Sequence, residues 1–189
     1  MATVLTQIEP ASDRGFSLIE TVLSLGVLTV GVLGTAAAMT SGMKNLSTSA
    51  ADVIVTQKAA QAIEAVFAAR DSHKLTWAQI KNVKGASGSD NGIFLDGPQD
   101  LHTPGPDGLL NTADDQLQPI ETTTLPGRDQ IIGTSDDTTL KLTNYTREIE
   151  IRDVANENGE LRTIVVTITY KTGTQTREYK LTTYISAFS

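Results

Sequence analysis

Gly15-Phe16-Ser17-Leu18-Ile19-Glu20-Thr21-Val22-Leu23-Ser24-Leu25-Gly26 opens the stretch that decides how this chain folds. From Phe16 to Met43 the only ionisable side chain is Glu20, and the run is rich in Leu, Val, Ala and Gly. About 20 such residues cross a bilayer as a helix, so the segment is long enough to span. A short polar leader carrying Glu9, Asp13 and Arg14 precedes it, and a polar, alanine-rich segment follows. Basic residues are scarce on both sides, and only Arg14 votes for a leader on the inner face.

Two ordinary readings compete for this run. A secretory signal cut after Ala36-Ala37-Ala38 has the small residues it needs, but such signals carry a basic n-region and an apolar stretch of about 7–15 residues. Here the leader is net acidic and the stretch is longer. A plain uncleaved anchor fits the length and leaves Glu20 unexplained. An acid within a spanning helix costs about 2.5–3.5 kcal/mol on insertion scales and survives with a partner. The next cation along the chain is Lys44, many turns away, whereas a neighbouring subunit could supply one.

Arg14-Gly15-Phe16-Ser17-Leu18-Ile19-Glu20 resembles the prepilin processing site of type IV pilins and type II secretion pseudopilins: Gly before the scissile bond, Phe after it, and Glu at the fifth mature position. The continuation from Thr21 to Gly34 is similar to that of PilV-like minor pilins and their pseudopilin counterparts. With the rest of the apolar run to Met43, the resemblance covers less than a fifth of the chain. It implies that a prepilin peptidase cuts between Gly15 and Phe16 and methylates the new amine. Glu20 of one subunit then pairs with that amine on a neighbour, which offsets the burial of both charges when the geometry is good. Two features depart from the family pattern: Glu9 and Asp13 stand in the leader where basic residues are usual, and the apolar helix lacks the proline that many major pilins have. The missing proline points to a minor pilin or pseudopilin. Gly26, Gly31 and Gly34 either loosen the helix, at about 1 kcal/mol each relative to Ala, or let helices pack closely in the membrane.

The 189 residues suit one domain plus an appendage. A net charge of −7 with pI near 4.8 repels phosphate backbones and anionic lipid, so no direct nucleic-acid binding is expected. With no cysteine there are no disulfides, thiolate metal sites or cysteine nucleophiles, and with only His73 and His102 a three-histidine metal site is impossible within one chain.

Beyond the apolar run, Leu46, Ala50, Val53, Ala60, Ile63 and Phe67 recur at three- and four-residue spacings, which predicts one face of a continuing helix packed on a sheet. That helix is expected to fray between Arg70 and His73, and Thr76-Trp77-Ala78-Gln79 reads as a capping box opening a short second helix, with Trp77 as a core anchor. In the C-terminal third, Ile149 and Ile151, then Ile164, Val166, Ile168 and Tyr170, then Tyr179, Leu181 and Ile185 alternate with polar or small residues. Asn158-Gly159 and Thr172-Gly173-Thr174 lie between these runs as hairpin turns, which predicts an antiparallel meander. The sum is an α+β fold of pilin-like architecture: leader 1–15, transmembrane and assembly helix 16–43, and an extracytoplasmic head 44–189 with a loop region 85–138 and a β-meander 139–187.

Inside the loop region, residues 104–115 (PGPDGLLNTADD) align with 126–137 (PGRDQIIGTSDD), with six of twelve positions identical and two exchanging Leu for Ile. Asp107, Asn111, Asp114 and Asp115 in the first copy, and Asp129, Asp136 and Asp137 in the second, offer hard oxygen donors on bent backbone, the chemistry calcium takes. The spacing is not that of an EF-hand but resembles short Asp-rich calcium motifs of bacterial extracellular proteins. Calcium would brace about 50 residues of loop that no disulfide holds. Alternatively these aspartates form Asx turns without metal, or the copies are short strands with Leu109-Leu110 and Ile131-Ile132 packed inward.

No nucleophile elbow or triad pattern surrounds the two histidines, so a structural role is expected. The implied partners are other pilin or pseudopilin subunits, the prepilin peptidase, an inner-membrane assembly platform, and the membrane before assembly. The implied location is the bacterial inner membrane and then a periplasmic or cell-surface filament. The rival is a secreted or membrane-anchored calcium-dependent binding module that does not polymerise.

Overall fold

Ser17 begins the first helix: its carbonyl and hydroxyl both accept the Glu20 N–H, at 3.0 and 3.3 Å, as an N-cap residue does. The computed structural model describes residues 17–188, with side chains described outside 44–49. Gly15 and Phe16 therefore lie outside the described residues. Helix α1 runs Leu18–Asp71 without interruption, through Gly26, Gly31 and Gly34, so none of the three breaks it. Thr21, Ser24, Thr29 and Thr40 turn their hydroxyls back to carbonyls three or four residues earlier, which satisfies these polar groups within the helix itself.

The chain divides into two compact units, Met1–Leu46 and Ser47–Ser189. In the first, the described part is helix. In the second, residues of α1 pack on a four-stranded antiparallel sheet of order β1-β4-β5-β6, with β1 Gln99–Asp100, β4 Tyr145–Asp153, β5 Leu161–Thr172 and β6 Gln175–Ser186. Two further strands, β2 Thr122–Leu125 and β3 Thr138–Lys141, pair only with each other. The class is thus α+β, as the periodicities predict. The meander begins at Tyr145 and not at 139, because β3 belongs to the small sheet. The loop region is also more ordered than its composition suggests, since it contains β1, β2 and a 3-10 turn at Asp115–Leu117.

The meander follows from strict alternation. Tyr145, Ile149 and Ile151 of β4 and Ile164, Val166, Ile168 and Tyr170 of β5 are buried on one face, with Ile149 opposite Val166 and Ile151 opposite Ile164. Each such isoleucine or valine contributes about 1.5–3 kcal/mol through burial. The helix face differs from the spacing-based expectation. Ala51, Ile54, Val55, Ala59, Ala62, Val66 and Ala69 are buried, Ala50 and Val53 are exposed, Ile63 and Phe67 are half-buried at the margin, and the Leu46 side chain lies outside the described residues. Apolar residues occupy most of the helix circumference here, so spacing alone does not fix which side turns inward. The sheet takes the side whose alanines let it approach closely.

Helix α1 ends as expected: Asp71 is its last residue and His73 has φ 55°. Gln79 does reach back to the Thr76 N–H at 2.9 Å, but the element it opens is a single 3-10 turn, Trp77–Gln79, and not an α-helix. Trp77 is half-buried against the core. Its indole N–H donates to the Gly159 carbonyl at 2.7 Å, and the Arg162 guanidinium lies 3.9 Å over its ring.

Candidate functional site

Two features stand apart from ordinary packing. The first is the apolar half of α1. Leu18–Met43 is long and apolar enough to cross a membrane, and none of it is buried in the isolated chain. Length and composition fit a membrane anchor or a signal sequence alike. Glu20 sits exposed in the first turn of this helix, where the macrodipole favours a carboxylate. Among the described residues no cation lies within ion-pair distance of it. The helix start therefore accounts for part of its tolerance, a contribution that sequence reading did not weigh.

The second feature is the pair of loops, which repeat in structure as they do in sequence. In the first copy, Asp115 Oδ1 accepts the Gly105 N–H at 2.6 Å and its Oδ2 accepts the Thr112 N–H at 3.1 Å. Asp114 accepts the Thr112 hydroxyl at 2.7 Å and the Asp107 N–H at 3.2 Å, while Asp107 accepts the Leu109 N–H at 2.8 Å. In the second copy, Asp137 accepts from the Gly127 and Thr134 N–H groups, Asp136 from the Thr134 hydroxyl, and Asp129 from the Ile131 N–H. One bond shifts by a residue. The Arg128 N–H reaches Asp136 at 2.6 Å, whereas its counterpart Pro106 has no N–H, and the next residue, Asp107, donates instead.

The shared residues are thus the ones that close the loop. A Cβ on Gly105 would stand 2.3 Å from the Asp114 carboxylate, and one on Gly127 would stand 2.2 Å from that of Asp136, so each copy needs glycine at its second position. Both copies leave antiparallel backbone pairs. Residues 126–137 join β2 to β3 beyond the Leu125–Thr138 pair, and 104–118 lies beyond the bond from the Thr103 N–H to the Pro119 carbonyl at 2.9 Å. Neither copy is a pair of strands. Leu109 and Leu110 do pack inward, but Ile131 and Ile132 are exposed.

The copies also differ in how their acids gather. One ligand oxygen from each of Asp107, Asp114 and Asp115 lies within 4.8 Å of the others, the one such acidic group among the described residues. Asp129, Asp136 and Asp137 do not come together in that way. Asn111 leaves the cluster altogether: its side chain is buried, its oxygen accepts from Arg147 Nε at 2.8 Å, and its amide donates to the Arg147 carbonyl at 2.7 Å. Asn111 is therefore corrected from candidate ligand to the link between loop and sheet. Three carboxylates suit a hard cation, which completes a coordination number of 6–8 with water or carbonyl oxygens.

The two neighbouring acids are biased in opposite directions. Burial pushes the Asp115 carboxyl up, against the N–H groups of Thr112 and Gly105, while the Thr112 hydroxyl holds Asp114 below the ordinary carboxylate value. The Thr134 hydroxyl does the same for Asp136. Asp115 thus contributes stability that is complete below the ordinary aspartate pKa and lost as pH rises through its higher folded value. Asp114 contributes stability that is present above the ordinary pKa and lost as pH falls through its lower folded value. In an NMR pH titration the Asp115 carboxyl carbon is expected to titrate above about 3.9 and that of Asp114 below it; the reverse order would contradict the loop geometry.

Sequence reading passed over the charged centre beneath this loop. Arg147, in β4, is 1% exposed. Besides Asn111 it holds Glu121 Oε1 at 3.3 Å, and Glu121 Oε2 in turn meets Lys58 Nζ of α1 at 2.5 Å. Burial draws the Arg147 guanidinium below its usual range and Glu121 opposes that. Alternation alone placed Arg147 on the inward face with Ile149 and Ile151, which was the signal available. Compared with protein-family models, characterised proteins and solved structures, the chain matches none.

Proposed function

We propose that this chain is a structural subunit, a minor pilin or pseudopilin, of a type IV pilus or type II secretion filament. The observation that carries the reading is a Gly15-Phe16 junction five residues ahead of Glu20, heading an apolar helix that leaves Leu18–Met43 without cover in a single chain. The fold is read as pilin-like, with leader 1–15, membrane and assembly helix 16–43 and extracytoplasmic head 44–189. A prepilin peptidase cuts after Gly15, the membrane holds the subunit, and an assembly platform passes it into a periplasmic or surface filament. Glu20 pairs with the Phe16 amine of a neighbour, since a buried acid needs a cation. No catalytic role is assigned. Mass spectrometry of the protein from native membranes tests the reading: a chain beginning at N-methylated Phe16 is expected, and one beginning at Met1 or near Met39 overturns it.

Calcium is proposed at Asp107, Asp114 and Asp115, whose gathered carboxylates repel one another without a cation. It would brace the first loop and supply no chemistry. Binding to the folded state alone raises the melting temperature by mass action. The full chain in detergent is therefore expected to melt higher in millimolar calcium than in chelator, and coincident melts would remove the metal. The rival is a calcium-dependent binding module that is anchored or secreted without polymerising. It is favoured if calcium raises the melt while Phe16 proves not to be the N-terminus.

A further inference from the structure

The head carries opposite charges at the two ends of its meander. Strands β5 and β6 pair without a break from Leu161 opposite Ser186 to Thr172 opposite Gln175, and Gly173, with φ 61°, turns the chain between them. That end, residues 171–177, holds Lys171 and Arg177 and no acid. Both are exposed, and among the described residues neither has a carboxylate within ion-pair distance. The next acid, Glu178, is paired with Lys180 at 3.5 Å. The turn at the other end, residues 153–160, holds Asp153, Glu157 and Glu160 and no cation, with Asp153 paired to Lys81 and Arg162. Helix α1 fixes which end is which. The Tyr170 hydroxyl donates to the Asp52 carboxylate beside the basic turn, whereas Arg70 donates to the Ser186 carbonyl at 3.1 Å at the acidic end. Asp52 stands nine positions after Met43, where the apolar run ends. Even a fully extended chain of that length reaches only about 30 Å, so the basic turn is tethered close to the apolar run.

We propose that the β5–β6 turn is a lipid-surface contact, in which Lys171 and Arg177 bind the phosphates of anionic headgroups while Leu18–Met43 holds the chain in the membrane. Charge selects this occupant. A chain of net charge −7 is repelled as a whole by an anionic surface, so its head settles with the acid-free turn toward the lipid and the turn with three acids away from it. Each basic side chain near such a surface shifts the contact equilibrium about fivefold, and two together about thirtyfold. Between separate molecules that is weak. On a chain already tethered to the same membrane the contact is intramolecular, and a modest shift is enough to populate it. Exposed Thr174 and Thr176 add hydroxyl donors for phosphate oxygens. The contact holds the head in one orientation while the chain is stored in the membrane, and salt or loss of the two cations releases it. The inference rests on the anchor reading of Leu18–Met43 and not on the filament.

The chain has no cysteine, so one introduced thiol carries one label. Full-length Thr174→Cys, labelled with a fluorophore and reconstituted in vesicles that contain lipids with nitroxide headgroups, reports how closely the basic turn approaches the headgroup layer. Exposed Ala155→Cys reports the opposite turn. In equimolar phosphatidylglycerol and phosphatidylcholine, quenching at position 174 is expected to exceed that at 155 several-fold. It is expected to fall to the level of 155 in 1 M salt, where the screening length is about 3 Å, and again when Lys171→Glu and Arg177→Glu are combined. The salt measurement needs no substitution beyond the label, so it decides the matter even if the double variant misfolds. Equal quenching at the two turns, or undiminished quenching at 174 in phosphatidylcholine alone, would overturn the proposal. Alkaline carbonate washing of the same vesicles reports the anchor separately. A chain that resists the wash without quenching at 174 keeps the anchor and sinks the headgroup contact, whereas a chain that washes out removes the anchor and this inference with it.

Discussion

Replacing Arg147 by alanine is expected to cost the fold about 3–5 kcal/mol, the loss typical when one partner of a buried ion pair is removed. Glu121 would remain buried with only Lys58 to balance it, and the Asn111 oxygen would lose its donor. The loss is a large fraction of the roughly 5–15 kcal/mol that holds an ordinary domain together. Urea unfolding of the full chain in detergent, followed by near-ultraviolet circular dichroism at Trp77 and the tyrosines, should show the midpoint falling steeply. Arg147→Met combined with Glu121→Leu should recover much of the loss, since replacing both charges with apolar groups leaves neither uncompensated. A single Arg147→Ala variant as stable as the parent would mean that the charged centre contributes little. The same variant should loosen the first loop before the second, because Asn111 ties only the first copy to the sheet.

Glu20→Ala is expected to leave membrane insertion and the start of the helix intact while removing the chain from filaments. The cap survives because Ser17 receives the backbone N–H of residue 20 and not its side chain. Insertion should improve slightly, since an acid is removed from the apolar run. If Glu20 neutralises a neighbour's amine, its loss leaves that cation unpaired in lipid. Even about 3 kcal/mol per contact is more than a hundredfold in association constant. Immunoblots of sheared filaments against total membranes measure this directly, and Glu20→Gln, which keeps the shape but not the charge, should behave like alanine. Normal incorporation of both variants would leave Glu20 as a first-turn residue stabilised by the helix dipole alone.

What could be read from the sequence, and what could not, follows from the range of the forces involved. The meander was legible because alternation is local: Ile149 and Ile151 against Glu148 and Glu150 already fix which face turns inward. The loop duplication was legible as letters, and its hydrogen bonds repeat because an aspartate that accepts N–H groups a few residues away needs no distant help. The buried face of α1 was not legible, because residues 50–69 are apolar on most sides and the strands from Tyr145 onward, far along the chain, make the choice. Arg147 was overlooked for a related reason: its acceptability inside depends on Glu121 and Asn111, which lie 26 and 36 positions away.

By itself the sequence determined a long apolar helix with a single acid near its start, three alternating strands, and two loops built on one pattern. Each of these depends on contacts within a few residues or on the plain cost of apolar surface in water. Tertiary structure alone decided the rest: that alanines and not Ile63 or Phe67 line the closest approach of helix to sheet, that Asn111 serves Arg147 in place of a cation, and that one loop is sunk into the core while its twin stands clear. Two segments with nearly the same local chemistry end in opposite surroundings because burial is set by what the remainder of the chain brings beside them.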